Sequence, residues 1–298
     1  IRAPCANSVI DGMLLSFHPI IEGDAHRLCA GRDPGPEDLV AMRTATAIVL
    51  PLGCRESLYR AARKACPRVF PNYEARFAYP GKTGQVRLFR DQGVPHPASL
   101  LFADMQDFRQ RYPAPDRLPI APPLVVKRDW GGEGQGVYPA PDTATLRDTL
   151  QRLEATAGEH QRAFLIQRFI PTRPRVLRVV VVGRRLRTYW RVMAPTDGPF
   201  AKAGLALGGR LDFNSDPHLM QAAESAVAQL CRATGINLAA FDLLFTRDAG
   251  IAPPEQPIFL EINYFFGRQG LGGSEALYTL LREAIRDWQA RNEPEPSA

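Results

Sequence analysis

Short apolar runs separated by amphipathic stretches organise the chain. GMLLSF (12 to 17) and ATAIVLPL (45 to 52) read as buried strands, and CRESLYRAARKAC (54 to 66), between the second of these and RVFPN, reads as a helix. This is the pattern of a small α/β unit. PGKTGQVRLFRDQGVPHP (80 to 97) gives a helix bracketed by Pro-Gly and Gly-Val-Pro punctuation, which places a boundary near residue 78. Beyond it ASLLF and PLVVK are strand-like. DTATLRDTLQRLEA (142 to 155) carries Leu146, Leu150 and Leu153 at helical spacing behind an Asp/Thr cap, and AFLIQRFI (163 to 170) is a further strand. After Pro-Thr-Arg-Pro come a hairpin (176 to 192), a Gly/Pro-rich stretch (194 to 209), a helix (216 to 234) and a second hairpin (239 to 264). A helix from about 274 to 291 follows, and residues 292 to 298 read as a disordered tail. There is no internal repeat.

A chain of 298 residues, 45% hydrophobic, buries a sizeable core and exceeds the usual single-domain length, so two or three structural units are expected. No apolar run is long enough to cross a bilayer, and the first residues hold too short an apolar core for a signal peptide. A cytoplasmic location and no membrane partner are therefore expected. The five cysteines are scattered without a C-x-x-C pair and read as free thiols. The net charge of +6 comes mostly from arginines dispersed along the chain, which argues against nucleic acid as a partner. Lysine is scarce. Only Lys64, Lys82, Lys127 and Lys202 occur, so their positions are informative.

Lys127 ends the apolar run of LVVKRDWGGEGQGVY, and Gly131, Gly132, Gly134 and Gly136 follow it. A dinucleotide-binding loop would lead into a helix, whereas GVYPAPD is strand-like and broken by proline. A Walker loop would end in Gly-Lys-Ser/Thr, and a kinase loop would precede its lysine strand. What remains is strand, lysine, glycine loop, strand. Such a hairpin can fold over a polyphosphate or can be an unliganded surface hairpin.

The second hairpin carries one carboxylate in each apolar strand, Asp242 in AFDLLF and Glu261 in FLEIN. Centring its loop between Ile251 and Ala252 pairs Thr246 with Pro257, Asp242 with Glu261, and Ala240 with Asn263. Asp242, Glu261 and Asn263 then share a face. Two carboxylates side by side among apolar neighbours call for a cation between them, and an all-oxygen set suits Mg²⁺, with Mn²⁺ as the alternative. In VLRVVVVGRRLRTYWRV, a two-residue turn at Gly183-Arg184 pairs Val182 with Arg185, Arg178 with Tyr189, and Val176 with Arg191. One face is apolar, from Leu177 to Val192. The other carries Arg178, Arg185, Arg187 and Arg191, and guanidinium clusters of this kind bind carboxylate or phosphate.

Taken in order, Lys82, Lys127 with its glycine loop, LIQRFI, Asp242 and EIN resemble the ATP-grasp superfamily, and within it the RimK and glutathione-synthetase-like carboxylate-amine ligases. The resemblance spans roughly residues 80 to 290. It implies an α/β (α+β) ATP-grasp fold, with two subdomains gripping ATP behind a small α/β domain. The expected division is 1–78, 79–168 with the glycine loop, 169–291 with the metal site, and the 292–298 tail. It implies that Lys82, Lys127 and the four glycines meet ATP phosphates and that the hinge at Gln167, Arg168 and Ile170 receives adenine. It likewise implies that Asp242, Glu261 and Asn263 hold Mg²⁺ and that Arg178 and Arg191 lie near the phosphates and acyl substrate. Lys202, in AKAGLALGGR, would belong to a lid, and Arg268 would meet substrate or an acyl phosphate. Three departures stand out: Arg168 where the family usually has Glu, PTRP where a ribose-binding acid is common, and Phe266 in place of a proline after the metal motif. The implied activity is an ATP- and Mg²⁺-dependent ligase joining small-molecule or peptide carboxylates to amines, with a homodimer as an expected assembly. A phosphotransferase and a non-catalytic nucleotide-binding protein are the alternatives.

Overall fold

The computed structural model describes residues 12–29, 31–131, 136–156, 163–193, 209–248, 250–253 and 255–291. Three sheets organise it. The first is built from β1 (Leu14–Ser16), β2 (Ala25–His26), β3 (Ala47–Val49) and β4 (Val69–Phe70), parallel throughout in the order β2-β1-β3-β4. Helices α1 (Pro36–Thr44) and α2 (Glu56–Ala65) belong to this unit. Helix α1 is absent from the sequence reading. Only Asp38 and Met42 of its nine residues are buried, so it has no apolar stripe to read, and its start is marked by Pro36 and by the Gly35 N–H donating to Asp38 Oδ2.

Helices α3 (Glu74–Ala78) and α4 (Gly81–Asp91) lead to the second sheet. Its chain order is β5 (Ser99–Phe102), α5 (Met105–Arg111), β6 (Leu124–Arg128), β7 (Val137–Ala140), α6 (Thr143–Ala155) and β8 (Phe164–Arg168). The sheet is antiparallel in the order β5-β8-β6-β7. Strand alternation sorts its two faces. Leu124, Val126, Phe164 and Ile166 pack under Leu146, Leu150 and Leu153 of α6, and Val125, Lys127, Leu165 and Gln167 are turned the other way. The expected cap of α6 is present: Asp142 accepts from the Thr145 N–H at 2.7 Å.

The third sheet contains β9 (Arg175–Val182), β10 (Arg185–Val192), β11 (Arg210–Asp212), β12 (Leu238–Leu244) and β13 (Ile258–Asn263) in the antiparallel order β11-β10-β9-β12-β13. Helix α7 (Pro217–Thr234) packs Met220, Ala223, Val227 and Leu230 against Leu177, Val179, Val181 and Trp190. Helix α8 (Ser274–Gln289) covers the opposite face. The β9–β10 turn falls at Gly183-Arg184, and every expected pair across it is observed. Gly183 has φ +63°, as the first central residue of this two-residue turn requires. The arginine-bearing face is not simply solvated. Val180, Val182 and Tyr189 on it share one core with Leu277, Leu281 and Ile285 of α8 and with Leu14, Val49 and Phe70 of the first sheet. The first and third sheets are thus joined through α8.

Candidate nucleotide and metal site

Two sheets face each other across a cleft. One wall is the inner face of the second sheet, with Lys127, Leu165 and Gln167; the other is β13, with Leu260 and Glu261. Lys82 and Gln85 of α4 close one side. Helix α4 is fixed to both walls. The Gln85 side-chain amide donates to the Ile262 carbonyl at 2.8 Å and accepts from the Ile262 N–H at 2.9 Å, covering the free edge of β13 as a short strand would. At its N-terminus, Asp129 accepts from the Thr83 N–H at 2.6 Å, and the Asp129 carbonyl accepts from the Lys82 N–H at 3.2 Å. Gly81, at φ +70°, leaves the space that carboxylate occupies.

The acidic wall keeps the expected register where it matters. Asp242 opposes Glu261, and Ala240 opposes Asn263. Past Asp242 the register shifts by one, Leu243 pairing with Phe259, so Leu260 becomes a bulge residue and the expected Thr246–Pro257 pair does not form. The bulge brings the Leu260 side chain to the cleft beside Glu261. Asp242 is buried and already paired. Arg178, its partner on β9, donates from Nε to Oδ1 at 2.8 Å and from Nη2 to Oδ2 at 2.7 Å. Arg191 Nη1 lies 3.7 Å from Oδ2, and Asn263 Nδ2 donates to the same oxygen at 3.2 Å. Burial opposes the charge on Arg178, but the Asp242 carboxylate more than offsets it and holds the arginine above its ordinary pKa.

The lysine wall is different. Lys82 Nζ donates to the Gly131 carbonyl at 2.6 Å and lies 3.7 Å from Glu261 Oε1, bridging the glycine loop to the acidic wall. Lys127 is buried and has no ion-pair partner among the described residues. Burial pushes its pKa down to about 8; Glu261 resists that shift, whereas the charge on Lys82 adds to it.

Among the described residues no cluster of three or more His, Cys, Asp or Glu side chains could hold a metal ion. Asp242 and Glu261, with Asn263 two residues further along β13, still fit a hard cation that takes one or two carboxylates and completes its shell with phosphate oxygens and water. Arg178 and Lys82 supply the counter-charge in this arrangement.

Gln167 lines the cleft with its side chain buried and donating to Ser99 Oγ at 2.9 Å. The Arg168 N–H donates to Ala98 and its side chain is exposed; Ile170 is buried among Val176, Leu244 and Ile258. Gly131 and Gly136 flank the loop tip, whereas Gly132, Gly134 and Lys202 lie outside the described residues. Arg268 is drawn away from the carboxylates. It donates to Ser274 Oγ at 3.0 Å and sits 5.3 Å over the Tyr278 ring. Arg185 pairs with Glu283 and Asp287 of α8, which removes it from the site. Sequence reasoning missed Gln85 and Asp129. Their signal is positional: Gln85 follows Lys82 by three residues on one helix face, and Asp129 follows Lys127 by two.

No family model matches the chain, and no curated protein matches it in sequence. Solved structures do match in fold. A D-alanine–D-alanine ligase from Bacillus anthracis, also solved in complex with ATP, superposes with a TM-score of 0.59 at 15% identity, over 89% of this chain and 88% of that one. A RimK domain ATP-grasp protein from Sphaerobacter thermophilus DSM 20745 gives 0.59 at 16% identity, over 92% and 98%. An L-amino acid ligase from Bacillus licheniformis gives 0.57 at 14% identity, over 91% and 67%. No helix among the described residues is long and apolar enough to cross a membrane.

Proposed function

We propose that this chain, which has the ATP-grasp fold, is an ATP-dependent ligase that joins a carboxylate to an amine through an acyl phosphate. The observation that carries this reading is that Glu261, paired with Asp242 across the hairpin, lines one cleft with Lys82 and Lys127. Acids on one wall and lysines on the other suit a nucleotide triphosphate with its divalent cation. The solved structures of like fold include ligases for D-alanine and for L-amino acids, one of them complexed with ATP.

In this reading Lys127 and Lys82 meet the phosphates, with the backbone around Gly131 approaching closely, and adenine lies against the Gln167 end of the second sheet. Asp242, Glu261 and Asn263 would hold Mg²⁺, which when bound neutralises charge on the phosphates. A substrate carboxylate oxygen attacks the γ-phosphorus and the bond to ADP breaks. An amine then attacks the acyl carbon and inorganic phosphate leaves. Arg178 and Arg191, beside Asp242, stabilise the anionic acyl end, and Arg268 meets substrate further along. The protein contributes positioning and charge stabilisation, for which one well-placed group is worth about 3 to 4 kcal/mol.

The test is Glu261→Gln. It keeps the shape of the strand and removes the charge, so ADP release should fall by about a hundredfold or more while the unfolding midpoint stays near that of the wild type. Undiminished turnover by the variant would sink the assignment. A phosphorylated substrate accumulating in place of free phosphate would identify a phosphotransferase instead.

A further inference from the structure

Helix α4 begins without a cap of its own. Its N-cap residue is Pro80, which offers no side-chain acceptor, so the N–H groups of Lys82 and Thr83 in the first turn need partners from elsewhere in the chain. Both find them in Asp129. Its carbonyl takes the Lys82 N–H at 3.2 Å, and its carboxylate takes the Thr83 N–H at 2.6 Å. A carboxylate is also the group that the positive end of a helix favours. Gly81 admits it, since a Cβ at that position would stand 2.3 Å from Asp129 Oδ2.

The strand end of this contact is the fixed one. The Asp129 N–H donates to the Ala163 carbonyl at 3.0 Å, and the Arg128 N–H donates to the Gly136 carbonyl at 2.8 Å. Arg128 is buried towards α6, where Nη1 donates to the Thr156 carbonyl at 3.4 Å and Nη2 to Thr156 Oγ1. The stem of the glycine loop is thus held independently of α4. From that stem Lys82 is held twice, by its main chain at Asp129 and by its Nζ at the Gly131 carbonyl, 2.6 Å away. The ammonium then stands 3.7 Å from Glu261 Oε1. Lys127, two residues before Asp129 on the same stem, lines the same cleft, and the Lys82 charge is near enough to help lower its pKa.

We propose that Asp129 is the positioning residue for Lys82: by capping α4 from the end of β6, it sets where the Lys82 ammonium stands relative to Lys127 and Glu261. Asp129 does not itself line the cleft and acts through the lysine. A lysine carries a compact charge on a flexible four-carbon stem, so the fold can best pre-organise it by fixing the main chain it hangs from. The proposal rests on the nucleotide reading only for what Lys82 then meets, since its placement is a property of the chain without ligand.

The first measurement needs no nucleotide. The full chain is treated with limiting acetic anhydride, and acetylation of Lys82 is read by mass spectrometry against that of Lys64, an exposed lysine of α2. The ratio should rise about tenfold in Asp129→Ala. Asp129→Asn, which keeps the Oδ1 acceptor and drops only the charge, should move it the same way by less, and it carries the test if the alanine variant does not fold. The second measurement is calorimetric titration with Mg²⁺ and a non-hydrolysable ATP analogue and, separately, with adenosine. Asp129→Ala should weaken the analogue about tenfold and adenosine less than about twofold, with Asp129→Asn recovering most of the loss. In a Lys82→Met background the same substitution should change affinity for the analogue by less than about twofold, because its effect runs through the lysine. An unchanged acetylation ratio would overturn the proposal, as would a loss that persists in Lys82→Met or falls equally on adenosine. If the ratio rises as expected but the wild type binds no analogue, the nucleotide reading fails and the placement of Lys82 by Asp129 stands.

Discussion

The two walls of the cleft solve the same electrostatic problem in opposite ways. On the acidic wall, Asp242 is buried but has a forked bond from Arg178, a second arginine nearby and the Asn263 amide. On the lysine wall, Lys127 is equally buried and has no partnering anion among the described residues, so its proton is held loosely. Asp242 is compensated within the protein, whereas Lys127 is left for a bound anion to compensate in the proposed reading. Breaking the Arg178–Asp242 pair should therefore cost folding, and changing Lys127 should cost binding.

The largest effect should follow Arg178→Met, which leaves Asp242 buried and uncompensated and is expected to cost about 3 to 5 kcal/mol in denaturant unfolding. Adding Asp242→Leu should recover most of that loss. If the single variant unfolds like the wild type, the acidic wall is not self-compensated. Next is Gly270→Ala. A Cβ there would fall 2.0 Å from Tyr189 Cζ, and Tyr189 lies opposite Arg178 on the hairpin. The expected cost is about 1 to 3 kcal/mol, with turnover falling beyond what stability explains; an unperturbed Tyr189 in a crystal of the variant would remove that link. The smallest effect is a pH dependence. An ATP anion favours charged Lys127, so affinity measured in chelator should be level below a pH of about 8 and fall towards tenfold per unit above it. The unliganded fold binds fewer protons at Lys127 than the unfolded chain between about 8 and the ordinary value of 10.5, so over that interval its stability should rise as affinity falls. Both trends should vanish in Lys127→Met, so that the difference between the wild type and that variant carries them whole.

The same contrast governs what could be read from sequence. Single charges set in apolar strands, Asp242, Glu261 and Arg178, report both register and face, because a slip of one residue would turn the apolar set outward. The Leu260 bulge was illegible, since FL in PIFLEIN is apolar whichever residue is the extra one. Gln85 and Asp129 were hidden for another reason. Their partners are main-chain groups, 177 residues away for Gln85 and 46 for Asp129, and a main-chain group leaves no mark in composition. The contact of His18 with Tyr278 needed the sheet order and α8 together, neither of which periodicity supplies. Helix α1 went unread for want of an apolar stripe, and it contributes little to the cleft.

The core shared by the first sheet, α8 and the third sheet bears on how the cleft could open. Two of the three sheets are welded into one block, like the fixed jaw of a vice with α8 as its spine. The second sheet carries its own separate core beneath α6 and is the free jaw. It is fastened to the block at the edge of β13, where Gln85 grips Ile262 and the Pro95 carbonyl takes the Phe259 N–H. A swing of the lysine jaw that keeps these bonds would pivot one residue from Glu261. Glu261, beside that pivot, would be the point of the cleft that moves least.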